Sequence, residues 1–449
     1  MTEHQNFTYT AIKDLNFISL SDVIAHQQVI QDTKSLNGNN WTFSNHNEHS
    51  IFEKMQSKTT PLSLYVGNHF FRGILTGYNP AFIIDKELQN QLISQDPKNE
   101  EIIKPFVIGD DIRHYQIHYG DVYVIFTRHG IDIDRYPLIK KYLEQFRESL
   151  EPRPKDWQGN EWKGRKPGKY QWYEIQDSVE FWTDFSKPKI VWPEIAKESR
   201  FAFDDNGYYL NKTCFFTPKK DFYLLSILNS KTIWFFLKNL CSVLGDADKG
   251  GRLLQQKIYI EQLPVRSISF TTTADHRTSL VNEVKDLYQS CTQSTDPQPL
   301  LAFIDTRLAA QPEESDVVHD LLAFLAEQMV EMNKAKNAEI KAFLNFVESE
   351  IGASVDTLSN KMLIQEYYAN DFIKIVDVLV KNKSKIKVGY NPKSPTNRKN
   401  LEAWHTDSCG KLKPLMTKID ATDTLIDQIV YKLYGLTKEE IRIVEGQAK

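Results

Sequence analysis

The chain has 449 residues, 41% of them hydrophobic and 25% charged, an ordinary globular composition with room for two or three domains and a well-buried core. No apolar run approaches the roughly 20 residues that span a bilayer, and the N-terminus MTEHQNFTYT lacks the basic and apolar regions of a signal peptide, so a cytoplasmic location is expected. The net charge of -4 does not advertise nucleic acid, and the scattered cysteines Cys214, Cys241, Cys291 and Cys409 argue against zinc and against a disulfide framework.

Residues 1–40 hold one weakly amphipathic run, Leu20 to Ile30, ending in the polar stretch KSLNGNN, and read as a lead-in or linker. His46 and His49 flank Glu48 without a helical context or a third ligand, so they are expected at the surface and not on a metal. From Trp41 to about Val265 the chain is rich in aromatic and β-branched residues. Strands are predicted at Val122–Thr127, Lys187–Trp192 and Phe201–Leu210, the last folded as a hairpin over Asp205-Asn206-Gly207. Helices are predicted at Tyr136–Leu150 and Asp221–Leu240. Beyond Pro264 the character changes to helical spacing, with Leu321, Leu322, Leu325, Met329 and Met332 as a packing stripe. The ending, Ile426 to Glu445, reads as two helices joined at Gly435, the second opened by a capping box from Thr437 to Glu440. The predicted class is α+β: a curled-sheet domain over residues 41–265, then a mostly helical domain over 266–449.

Four segments carry candidate chemistry. In FRGILTGYNPAFIID (Phe71–Asp85), Gly73, Gly77 and Pro80 force a bend that leaves Thr76, Tyr78 and Asn79 as polar groups able to touch a ligand. Asn79-Pro80-Ala81-Phe82 looks like the Asn-Pro-Pro-Tyr/Phe tetrapeptide of amino-methyltransferases. Ala81 stands in place of the second proline, and residues 1–70 lack a Gly-rich cofactor turn. A P-loop fails because no Gly-Lys-Ser/Thr follows; a purely structural hairpin stays open. Between Arg153 and Lys169 six basic residues face two acidic ones, interleaved with Trp157, Trp162, Tyr170 and nearby Trp172. Trp162, Lys163, Arg165 and Lys166 are the candidates there for a loop laid along a DNA groove, against a solvated loop whose tryptophans fold back on the core. Gly250 and Gly251, beside Lys249 and Arg252, would let backbone approach a phosphate, against a plain mobile loop. From Lys381 to Lys399 seven basic residues occur without an acid, so Lys383, Lys385 and Lys387 are candidate phosphate contacts or simply a solvated linker.

The stretch Phe71–Asp85 resembles the Gly-x-x-Thr-Gly-x-Asn-x-Ala-Phe signature opening the TaqI-like C-terminal specificity domain of adenine-N6 DNA methyltransferases and type IIG restriction-modification enzymes. Phe215–Leu240 followed by Gly245–Val265 resembles that domain's second half, where a helix carrying Leu-Asn-Ser precedes a glycine-containing loop and a closing strand. Asp320–Gly352 and the C-terminal helices resemble the helical region that follows it in type IIG and phage-defence methylases. The resemblance implies sequence-specific recognition of double-stranded DNA by a specificity subunit or C-terminal fragment, non-catalytic by itself. The methyltransferase domain is missing from this chain, so S-adenosylmethionine is expected on a partner or missing domain and no cofactor or metal here. A methyltransferase or nuclease with an unrecognised site, and a protein-interaction scaffold, are the competing classes.

Overall fold

The computed structural model describes residues 6–10, 18–32, 46–245, 251–294 and 296–447. Trp41, the KSLNGNN stretch, Gly250 and the candidate Lys249 lie outside them. The fold is α+β, with small open sheets and long helices.

A four-stranded antiparallel sheet stands at the centre, ordered Ala202–Asp204, Lys189–Pro193, Cys214–Thr217, Phe71–Arg72. Side chains alternate between the faces of a strand, and both faces here are covered. Ile190, Trp192, Phe203 and Phe215 join the core that faces the helices, whereas Val191, Ala202, Cys214 and Phe216 join a second core beneath another sheet. Burial on both sides explains why Ile190, Val191 and Trp192 follow one another without an intervening polar residue. Lys189 is the exception. Fully buried, it forms an ion pair with Asp204 on the neighbouring strand and donates to the Phe185 carbonyl.

The second sheet is mixed. Tyr209–Leu210 runs parallel to Ile103–Val107, which pairs antiparallel with Tyr123–Ile125, itself antiparallel to Ile83–Ile84. This arrangement corrects the expected hairpin, because Ala202–Asp204 and Tyr209–Leu210 belong to different sheets. The Asp204 carboxylate accepts the backbone N–H groups of Asn206 and Tyr208, so the turn is tied to Asp204 itself and the chain leaves for the other sheet instead of folding back. Two predicted helices are also divided. Tyr136–Leu150 becomes Pro137–Glu144 and Arg147–Leu150, and Asp221–Leu240 breaks at Ser230, whose extended backbone ends one helix and whose hydroxyl caps the next at the Ile233 N–H. At the N-terminus the expected linker contains structure: Leu20–Gln27 is helical, and Val29–Asp32 pairs with Asn6–Tyr9. His46 and His49 sit in a helix, His46–Gln56, contrary to the sequence reading, and among the described residues no cluster of His, Cys, Asp and Glu could hold a metal.

The helical half is built on two long helices, Ser315–Ile351 and Pro395–Leu433, of 37 and 39 residues. At 1.5 Å per residue each is about 55 Å long. Leu321, Leu322, Leu325, Met329 and Met332 are buried, packing the first helix on Phe222–Asn229 and on its long partner. The helix-facing core therefore draws on both sides of residue 265, from Trp192 and Leu237 to Leu322 and Ile426. At the far end of the pair, Phe343, Val347 and Leu412 meet Ile375 and Leu379 of the helix Phe372–Lys381 in a third core. Polar staples hold the second core's lobe to this arm: His114 to Asp423 at 2.8 Å, Asn337 to Gln116 at 3.0 Å and Lys334 to Asp205 at 3.3 Å. Gly435, at φ +67°, ends the last long helix, and the Thr437–Glu440 capping box opens Lys438–Val444. No helix among the described residues is long and apolar enough to cross a membrane.

Candidate nucleic-acid interface

The bend at Thr76–Asn79 is shaped by one glycine and one arginine. Gly77 adopts φ +84°, and a Cβ there would lie 2.7 Å from Cδ of Arg165, so both backbone conformation and proximity require glycine. Thr76 is buried, and its hydroxyl donates to Oδ1 of Asn79 at 2.7 Å. Thr76 thus orients Asn79 and does not itself reach a ligand. Asn79 is exposed at the start of the single turn Asn79–Phe82, which is anchored by the buried Ala81 and Phe82. Tyr78 is half-buried, its ring 6.3 Å from that of Phe146.

Arg165 is only 4% exposed. Its guanidinium donates to the carbonyls of Leu150, Thr76, Glu174, Gln171 and Trp172 at 2.7, 3.0, 2.7, 3.2 and 3.0 Å. A guanidinium has five N–H donors, and here all are spent on backbone. Burial pushes its pKa down to about 10. The sequence reading of Arg165 as a reader of guanine is corrected: it ties the basic loop to the bend. The rest of that loop is mixed. Lys163 pairs with Glu148 at 3.0 Å, the Trp162 indole donates to the Glu151 carbonyl at 3.1 Å, and Trp157 packs edge-on to Trp162. Lys166 is exposed and without a side-chain partner among the described residues.

Asn79 and Arg252 come together across a cleft of about 560 Å³. It lies past the carboxyl ends of the parallel strands Ile103–Val107 and Tyr209–Leu210, where Gly109 and Lys212 emerge. Lys197 and Arg200 enter from the connection after Ile195–Ala196, and Arg252 begins the strand paired with it. Three of these cations, Lys197, Lys212 and Arg252, are exposed and have no acidic partner among the described residues. Arg200 is held by Glu198 at 3.0 Å, and Arg72 binds Glu194 at 3.1 Å on the rim. Arg113, packed near Arg200, has its pKa lowered by burial and then by that neighbouring charge. Lys197, Arg200 and Lys212 were invisible in the sequence, because the pair Lys197 and Arg200 flanks a glutamate and only strand pairing brings it together with Lys212 and Arg252.

Lys383, Lys385 and Lys387 do not line this cleft; they belong to the connection beside the third core. Lys385 donates to the Thr357 carbonyl at 2.8 Å, the Lys387 ammonium lies 5.5 Å over the Tyr390 ring, and Lys383 is exposed without a partner among the described residues.

Residues 104–265 match the family of TaqI-like C-terminal specificity domains, and residues 316–430 match a domain of unknown function, DUF8810. The first match begins after the bend at Thr76–Asn79. The type II methyltransferase M.BanIII of Aneurinibacillus aneurinilyticus is 26% identical over 180 residues, covering 35% of this chain and 28% of the relative. Among solved structures, the type IIL restriction-modification enzyme MmeI in complex with DNA is similar at 15% identity and TM-score 0.32, over 57% of this chain and 31% of that one. The type IIG restriction endonuclease BpuSI is similar at 13% identity and TM-score 0.33, over 56% and 30%. The chain spans about 30% of the length of each of these proteins. It is the segment 104–265 that matches the family of TaqI-like C-terminal specificity domains, and the rest of the chain lies outside that match.

Proposed function

We propose that this chain recognises a specific sequence in double-stranded DNA, as a specificity subunit or C-terminal part of an adenine-N6 methyltransferase or type IIG restriction system. The observation that carries this reading is the cleft, where Lys197, Lys212 and Arg252 of the matched segment stand around Asn79 without a close ion pair among the described residues. Cations of this kind displace counterions from phosphates and set affinity without reading sequence. Asn79 supplies the discrimination. One lone pair of its Oδ1 takes the Thr76 hydroxyl, which leaves a second lone pair and both Nδ2 protons to pair with the N6 amine and N7 of adenine.

Catalysis on this reading belongs to a methyltransferase domain or subunit that binds S-adenosylmethionine and reaches the adenine by extruding it. Incubation of the chain alone with labelled S-adenosylmethionine and mixed-sequence DNA is expected to transfer no label; incorporation above a heat-killed control would refute that division of labour. The DNA reading is tested by replacing Lys197, Lys212 and Arg252 together with alanine. The slope of log K against log salt should fall by up to about 2.7, near 0.9 for each phosphate that is no longer neutralised, equally on cognate and random duplexes. A slope that does not move, or a parent chain that shows no salt-dependent DNA binding, would return the chain to the class of interaction scaffolds.

A further inference from the structure

A second cavity, of about 550 Å³, opens at the opposite end of the same parallel strand pair. The cleft around Asn79 lies beyond the carboxyl ends, at Gly109 and Lys212, whereas Ile102, Lys104 and Tyr209 line this one. From Lys104 to Asp110 the chain advances roughly 15 to 20 Å at about 3.3 Å per residue, so the two mouths are separate.

Cations reach this cavity from three segments, and none is committed to a close ion pair. Arg135 stands 3.9 Å from Glu101, Arg128 makes only a 3.5 Å bond to the His129 carbonyl, and Lys104 donates to the Glu100 carbonyl at 3.1 Å. Trp182 forms a wall. It is 37% exposed, and the Arg128 guanidinium lies 5.2 Å over its ring. With the guanidinium lying over the indole, its outer face is a planar, positively charged surface of the kind on which nucleobases stack. Two carboxylates complete the lining: Glu101 accepts the Tyr136 hydroxyl at 2.6 Å, and Asp132 has no side-chain partner among the described residues. Cations alone would suit any phosphate. The carboxylates add acceptors that phosphate cannot use and that an amine-bearing base can.

We propose that this cavity binds one nucleotide, its base stacked on the Arg128 guanidinium that Trp182 backs, its amine donating to Glu101 or Asp132, and its phosphate held by Arg135 and Lys104. The volume suits such a ligand, since small-molecule pockets run from about 300 to 1,000 Å³. A free nucleotide and a nucleotide extruded from a strand share this chemistry. The site differs in place and composition from the cleft around Asn79 and does not depend on that cleft binding DNA.

Tryptophan fluorescence of the full chain reads occupancy, with Trp182→Phe identifying the responding indole among the eight present. Titrations with guanosine, adenosine and cytidine 5′-monophosphates should quench saturably, and inorganic phosphate should not. Arg128→Gln with Arg135→Gln should weaken binding roughly 10- to 100-fold, the scale of losing charge-assisted hydrogen bonds. Both arginines are exposed, and the melting temperature checks that the fold is kept. A duplex carrying one unpaired nucleotide separates the sources: displacement of the monophosphate, or Trp182-dependent quenching by that duplex alone, assigns an extruded nucleotide. Monophosphate binding that this duplex leaves untouched assigns a free one. No Trp182-dependent response to either probe, phosphate binding as tightly as the nucleotides, or an unchanged affinity in the double-glutamine variant would overturn the proposal.

Discussion

Arg165→Ala separates folding from reading more sharply than any other single substitution. The guanidinium fills five hydrogen bonds to backbone carbonyls, four of them buried, and links the turn at Thr76 to the loop that runs through Gln171–Glu174. The Thr76 and Gln171 carbonyls keep the N–H groups of Gln176 and Glu174, but those of Leu150, Trp172 and Glu174 lose the Arg165 donor at about 1 to 3 kcal/mol each, while removing a buried cation relieves its own desolvation; about 3 to 5 kcal/mol of net destabilisation follows. The cation–π stack on Tyr170, at 4.5 Å, disappears as well. Arg165→Lys should recover little, because one ammonium carries three donors and no planar fork. Thermal unfolding, trypsin cleavage at Lys155, Lys163 and Lys169, and competition binding on cognate and random duplexes form the assay. The expected result is a lower melting temperature, faster cutting in the loop, and equal loss of affinity on both DNAs. Unchanged stability with loss confined to the cognate duplex would refute this account and restore Arg165 as a base reader.

Gly77→Ala should cost about 1 to 3 kcal/mol, since a side chain must adopt φ +84° and push against Arg165; chemical denaturation would show it, and an unchanged midpoint would mean that the bend shifts freely. Asn79→Ala should lose roughly 1 to 3 kcal/mol on the cognate site and little on random DNA, and equal loss on both would make Asn79 a support for its turn. His114 gives a pH prediction. Its two ring nitrogens face acceptors, the Ser199 carbonyl and Asp423, and although burial alone would lower its pKa, these partners and Asp427 raise it above the ordinary value. A raised pKa means that the staple contributes fully below the unfolded value, about 6.5, and is lost as pH rises through the folded one. His114→Gln should therefore flatten the fall in melting temperature on the alkaline side of neutrality, and a profile parallel to the parent's would exclude the imidazolium. Lys383→Ala with Lys385→Ala and Lys387→Ala should reduce the salt slope by no more than about one unit, because only Lys383 is uncommitted, and a drop near three would show that all three reach phosphates.

What the sequence disclosed followed the range of the interactions. The packing stripe at Leu321–Met332 and the capping box at Thr437 depend on neighbours three or four residues away, and both stand where spacing put them. The bend was legible because Gly73, Gly77 and Pro80 are local constraints. The division of roles within it was not. That Arg165 is a backbone clasp depends on a contact 89 residues away in sequence, and that Thr76 is buried and left to orient Asn79 depends on the packing around it. The missed hairpin has the same origin. Asp-Asn-Gly announces a turn, but whether the strands on either side pair is decided by which sheet needs them, and Tyr209 is claimed by Phe106. Lys197, Lys212 and Arg252 illustrate the limit most plainly, for isolated cations become a cluster only through strand order.

The central sheet, faced on one side by the outer lobe and on the other by the long helices, bears on how such a protein could acquire a new target. A cut at residue 265 would run through the interior shared by Trp192, Leu322 and Ile426, so neither piece would keep a complete interior of its own. The outer lobe is different. Its second core lies wholly between Ile74 and Phe216, but besides the polar staples to the arm that segment carries Tyr115, Ile190, Trp192 and Phe203 of the helix-facing core. Exchange of the outer lobe by recombination is therefore expected to keep these central-sheet side chains matched to the long helices while the second core is free to vary.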